Sequence, residues 1–160
     1  MDIYDYAMQM EKDGEDLYRD LASKTVIPGL RTILIMLADA EVRHFKIFQD
    51  MKNNNKVAMA DISILNDVKN VFVKMKEKKS SGVDVSQIEL YRKAQGIEKM
   101  TQDFYEEKAG EAIDEAQAGI FLKIADEEKR HYFILENIIN FVNKPSSWLE
   151  NPEWYDMEEY

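Results

Sequence analysis

The stretch Ala125-Asp126-Glu127-Glu128-Lys129-Arg130-His131 decides how this chain is read, because a close copy stands 87 residues earlier at Ala38-Asp39-Ala40-Glu41-Val42-Arg43-His44. These copies hold the only two histidines, and each histidine follows a glutamate by three positions. On a helix, residues three apart differ by about 60° in direction and about 4.5 Å in height, so both side chains face the same way. A carboxylate and an imidazole side by side on one helix face can bind the same metal ion. A lone Glu-x-x-His is weak evidence, since glutamate is abundant here and the pair also makes ordinary surface contacts. Two of them in register carry far more weight.

Working outward, the same shift of 87 places Glu11 on Glu98 and Tyr18 on Tyr105. Between residues 4 and 47 it yields 14 identities: Tyr4, Ala7, Glu11, Lys12, Asp16, Tyr18, Ala22, Ile33, Ala38, Asp39, Glu41, Arg43, His44 and Ile47. Unrelated segments of this length should share roughly two or three, so the halves read as copies of one helical hairpin. In some helical bundles a Glu from each of two helices joins a Glu-x-x-His from each of the other two to enclose a pair of metal ions. The repeat supplies that set: Glu11, Glu41, His44, Glu98, Glu128 and His131.

Composition agrees with a helical globular domain. The chain has 160 residues, 45% hydrophobic and 32% charged, with only 6 Gly and 3 Pro to punctuate it. That favours long helices over many short strands. With no Cys there are no disulfides, thiolate ligands or thiol nucleophiles. The formal charge of −10 speaks against nucleic-acid or anionic-membrane surfaces as partners. No apolar run approaches the roughly 20 residues that cross a bilayer. The N-terminus lacks the basic and apolar regions of an export signal, so a cytoplasmic location is expected.

Taken in order, the pattern predicts hairpin 1 at 3–53, a crossover at 54–85, hairpin 2 at 86–142, and an aromatic and acidic tail within 144–160. The domain itself is expected over 1–143. A first helix over about 3–24 has the stripe Ile3, Ala7, Met10, Gly14, Leu17, Leu21, with Glu11 inside its edge. Pro28-Gly29 marks the turn into a helix over about 29–53, which Asn53-Asn54-Asn55 ends. A short helix over about 63–79 precedes a Ser80-Ser81-Gly82 break. Ser86 is the expected N-cap of the third long helix, paired with Glu89, and Gly110 its expected end. The fourth runs over about 112–142. The tail carries Trp148, Trp154 and Tyr155.

A carboxylate inside an apolar stripe is costly unless it is paired or coordinates a metal. Tyr18 and Tyr105 read either as core tyrosines or as hydrogen-bond partners of the ligand carboxylates. Asp39 and Asp126 repeat as well, and read as solvated acids rather than partners of the imidazoles. Glu15 and Glu127 have no acidic counterpart, since Gln102 and Ala40 hold those places, and are expected at the surface, with service as a shifting extra ligand as the alternative. Hard carboxylate oxygens with one imidazole per ion suit iron, with manganese as the alternative. Two neighbouring irons supply two electrons, which matches reduction of a peroxide O–O bond or a first step with dioxygen. The chain has no P-loop and no GxGxxG, so the di-metal centre itself would carry the chemistry.

The Glu-x6-Tyr and Glu-x-x-His hairpin, repeated after a long crossover, resembles the di-iron domain of rubrerythrins in the ferritin-like superfamily. The resemblance covers about residues 3–142. It implies an all-α, ferritin-like four-helix bundle, made of two repeated hairpins joined by a long crossover with a short helix. It also implies two iron ions held by Glu11, Glu41, His44, Glu98, Glu128 and His131, with Tyr18 and Tyr105 beside them. The implied function is that of an oxidoreductase reducing hydrogen peroxide, usually as a homodimer. Two features depart from the family pattern. Thr101 stands where rubrerythrins carry an additional glutamate, and there is no Cys-x-x-Cys iron module. Electrons are therefore expected from an external donor, a rubredoxin-like or other carrier. The competing expectations are a non-catalytic protein for iron binding, storage or sensing, and a metal-free structural bundle.

Overall fold

The computed structural model describes residues 2–57, 62–78 and 87–143, the side chains of 76–78 excepted. Five helices occupy them: α1 (Ile3–Lys24), α2 (Pro28–Lys52), α3 (Leu65–Lys78), α4 (Ile88–Glu111) and α5 (Glu115–Asn143). No strand occurs among the described residues. Helices α1 and α2 form one hairpin and α4 and α5 the other, and α1 meets α4 while α2 meets α5. The short α3 lies in the crossover and packs on α2 and α5. This is a ferritin-like four-helix bundle.

Local chemistry sets the helix ends. Asp2 caps α1, its Oδ1 accepting from Asp5 N at 2.8 Å. Pro28 opens α2, where its missing N–H costs nothing. Asn54 closes that helix in the left-handed region at φ 56°, which asparagine tolerates. Gly29 is required by packing, because a Cβ there would fall on the Met75 side chain of α3.

Three expectations about the second hairpin need correction. Gly110 does not end α4, which runs on to Glu111 before Ala112 turns extended. The fourth long helix begins at Glu115 rather than 112, because Asp114 Oδ1 accepts from Ala116 N at 2.8 Å and starts it. The N-cap of α4 is Gln87, without a side-chain cap bond. Ser86, the Ser80-Ser81-Gly82 break and the tail with Trp148, Trp154 and Tyr155 lie outside the described residues.

The core divides into two apolar clusters with polar side chains between them. One gathers Leu21, Leu30, Leu34, Leu37, Phe72, Ile134 and Ile138, and the other gathers Ala7, Phe48, Tyr105 and Phe121. In α1 the buried face is Ala7, Glu11, Gly14, Tyr18 and Leu21, with Met10 and Leu17 half-buried. Glu11 therefore sits at the centre of the face, not at its edge.

Candidate metal centre

Each long helix delivers its chemistry-bearing residue to the middle of the bundle because that residue replaces an apolar one in the helical repeat. Glu11 comes from α1, Glu41 and His44 from α2, Glu98 from α4, and Glu128 and His131 from α5. All six are at most 3% exposed. They form two groups, Glu11, Glu41, His44 and Glu128 in one, and Glu41, Glu98, Glu128 and His131 in the other. Within each group the potential ligand atoms lie within 4.8 Å of one another. Glu41 and Glu128 belong to both.

The halves mirror each other in which residues pair. His44 Nδ1 lies 2.8 Å from Glu128 Oε1 and 3.5 Å from Glu11 Oε2. His131 Nδ1 lies 3.3 Å from Glu41 Oε1 and 3.5 Å from Glu98 Oε1. The two imidazoles are nearly parallel, 8° apart, with centroids separated by 5.8 Å. Tyr105 donates to Glu11 Oε1 at 2.8 Å, and Tyr18 donates to Glu98 Oε1 across the bundle in the same sense. The tyrosines are thus partners of these carboxylates as well as core side chains.

Four carboxyl groups in so small a volume cannot all be charged without a cation. Burial, followed by the charges of Glu11 and Glu98, pushes the Glu41 carboxyl well above the usual range. Glu128 is raised in the same way, by burial and then by Glu11, Glu41 and Glu98. For Glu98 burial also acts upward, but hydrogen bonds from Glu128, His131 and Tyr18 and the His131 charge outweigh it, and its value falls to about 2. Glu11 is lowered too, since His44, Glu41 and Tyr105 outweigh burial. The shared pair, Glu41 and Glu128, is therefore the pair that carries protons when no cation does the neutralising.

The donor set fits a cation. Tyrosine takes one oxygen of Glu11 and one of Glu98, and leaves Oε2 of each buried without a hydrogen-bond partner. Buried acceptors of that kind are expensive unless something positive satisfies them. Both imidazoles turn Nδ1 toward the carboxylates, and both Nε2 atoms are buried and unpartnered. Oxygen-rich sites with one imidazole each suit iron or manganese. The cluster can hold metal.

Among the neighbouring acids, Asp39 binds Arg19 at 3.1 Å and Asp126 binds Arg130 at 2.6 Å. Both are exposed, so neither serves an imidazole. Glu15 pairs with Lys12 and Arg19 near the surface. Glu127 is the correction: it is not a surface acid but is buried at 3% exposure, with Arg130 Nη1 2.8 Å from its Oε1. At the place where the resemblance implies an additional glutamate, Thr101 is buried and its hydroxyl donates to Ile97 O at 2.8 Å. Its counterpart in the repeat is Gly14, where a Cβ would sit 3.2 Å from Glu41 Cδ and Oε2. Both places are kept small. Sequence reasoning missed the buried Gln95 and Gln102. Their spacing of three before and four after Glu98, on the same helix face, was the available signal.

No curated protein and no solved structure matches the chain significantly. The sequence model of one family does match, over residues 2–139, which takes in both hairpins and all six buried residues of the centre. The chain belongs to the rubrerythrin family.

Proposed function

We propose that this protein is a di-iron carboxylate oxidoreductase that reduces hydrogen peroxide, or reacts with dioxygen, using electrons from a donor outside these 160 residues. The observation that carries the reading is the pair of four-residue groups sharing Glu41 and Glu128. It matches two ions, each with its own Glu and His and two carboxylates in common. Two irons held this close would supply the two electrons that convert hydrogen peroxide and two protons into two waters.

The chain's own residues prepare that chemistry. Glu11 with His44 would hold one ion and Glu98 with His131 the other. Tyr18 and Tyr105 fix the rotamers of Glu98 and Glu11 through hydrogen bonds that a moving carboxylate would have to break. Glu41 and Glu128 hold protons close to the reacting atoms whenever cation charge is withdrawn. Flanking Phe48, Phe121 and Ile124 are fully buried and keep bulk water out.

A second reading, iron binding for storage or sensing without turnover, is favoured by Thr101. Its hydroxyl is engaged with Ile97 O, and no carboxylate stands there to follow a shifting ion. Elemental analysis of protein purified without oxygen, with absorption spectra before and after one equivalent of peroxide, separates the readings. About two irons per chain and new near-ultraviolet absorption within seconds are expected for the oxidoreductase. Bound iron without a spectral response would select the second reading. Metal-free protein that also refuses ferrous iron would eliminate both.

A further inference from the structure

Glu127 is the buried acid that the six-residue centre leaves unused. Arg130 engages its Oε1, but its Oε2 is buried with no partner. Glu127 and His131 are four residues apart and so are neighbours on one face of α5. His131 Nε2, on the side of the ring away from the carboxylates, is buried and unpartnered as well. In the first hairpin the equivalent residue is Ala40, fully buried in the apolar core. At this buried position beside a histidine the two halves differ in charge as well as in size.

We propose that Glu127 makes the two halves of the centre unequal, drawing the first divalent cation to the Glu98–His131 half and leaving the Glu11–His44 half to fill second. The inference rests on the metal reading given above. A buried anion attracts a cation strongly because little water intervenes. Arg130 opposes this only in part. It is shared with Asp126 and its side chain is 25% exposed, whereas that of Glu127 is 5% exposed.

The test titrates the metal-free full chain with Mn(II), followed by calorimetry and by electron paramagnetic resonance. Two steps separated by about tenfold or more are expected, the isolated-ion signal rising to one equivalent and fading as the second ion couples to the first. Glu127→Gln keeps the volume and the Arg130 contact but removes the charge. It should weaken the first step about tenfold and merge it with the second. Glu127→Ala, which reproduces Ala40, should do the same and serves if the glutamine variant folds poorly. In a His44→Ala background, which leaves only the Glu98–His131 half, Glu127→Gln should lower affinity. In a His131→Ala background it should change nothing. Two ions taken up by the wild type in one unresolved step, or equal responses in the two backgrounds, would overturn the inference and leave the metal reading standing. A wild type that binds no Mn(II) or ferrous iron overturns both.

Discussion

Each tyrosine hydroxyl on the centre holds one oxygen of a glutamate from the opposite hairpin and leaves the other oxygen without a hydrogen-bond partner. Tyr105→Phe keeps the ring but strands a buried, ionised carboxylate. A cost of about 1–3 kcal/mol in the metal-free protein is expected from urea unfolding, with metal affinity about tenfold weaker. An unchanged midpoint and unchanged affinity would show that the hydroxyl positions nothing. Gly14 poses the opposite case. Alanine is the better helix former by about 1 kcal/mol, yet its Cβ would press on Glu41, which belongs to both four-residue groups. Gly14→Ala should therefore leave metal-free stability equal or higher while lowering metal affinity. Calorimetric titration giving wild-type affinity would count against Glu41 as a shared ligand.

At the scale of elements, the two hairpins are each held by extensive helix–helix packing, and α3 is attached more lightly to α2 and α5. Its attachment depends on a close approach, with Met75 filling the space above Gly29 at the start of α2. Gly29→Ala forces that side chain, or α3 itself, to move, at a cost of about 1–3 kcal/mol. Hydrogen exchange should show faster exchange in α3 than in α1 or α5 of the variant. Uniform protection across all five helices would mean that Met75 simply repacks.

For the whole molecule, the buried carboxyls link stability to pH. Unfolded carboxyls titrate near about 4.3, and Glu41 and Glu128 are held well above that in the metal-free fold. The folded state then binds more protons than the unfolded one, so their contribution is present below about pH 4.3 and is lost as pH rises through the raised native values. His131, also raised, acts in the same direction from about pH 6.5 upward. Glu98, at about 2, and the lowered Glu11 act oppositely. Their contribution is present above about pH 4.3 and is lost as the solution is acidified toward about pH 2. Metal-free protein should consequently melt higher at about pH 5 than at about pH 8. On the proposed metal reading a cation would replace the protons of Glu41 and Glu128, so the gap between loaded and metal-free melting temperatures should widen over the same range. A metal-free melting temperature that rises from pH 5 to pH 8 would contradict this arrangement of charges.

The helical hairpins, their order, the crossover helix and the six central residues were legible in the amino-acid sequence alone. Helical periodicity and an 87-residue repeat depend only on spacing along the chain, and residues such as Glu41, His44, Glu128 and His131 carry their chemistry in their identity. Helix ends were less legible, because Gly110 is compatible with a helix interior and Asp114 supplies a stronger start signal than the residues before it. Burial of Glu127 was decided only by tertiary structure. A polar residue one step from an apolar stripe faces water or a neighbouring helix according to how the helices rotate about their axes. That rotation is set by packing across the bundle, where Glu11 turns out to lie at the centre of its face and Gly14 admits Glu41. The pairing of each tyrosine with the opposite hairpin is likewise a product of helix approach, since Tyr18 and Glu98 are 80 residues apart in the chain.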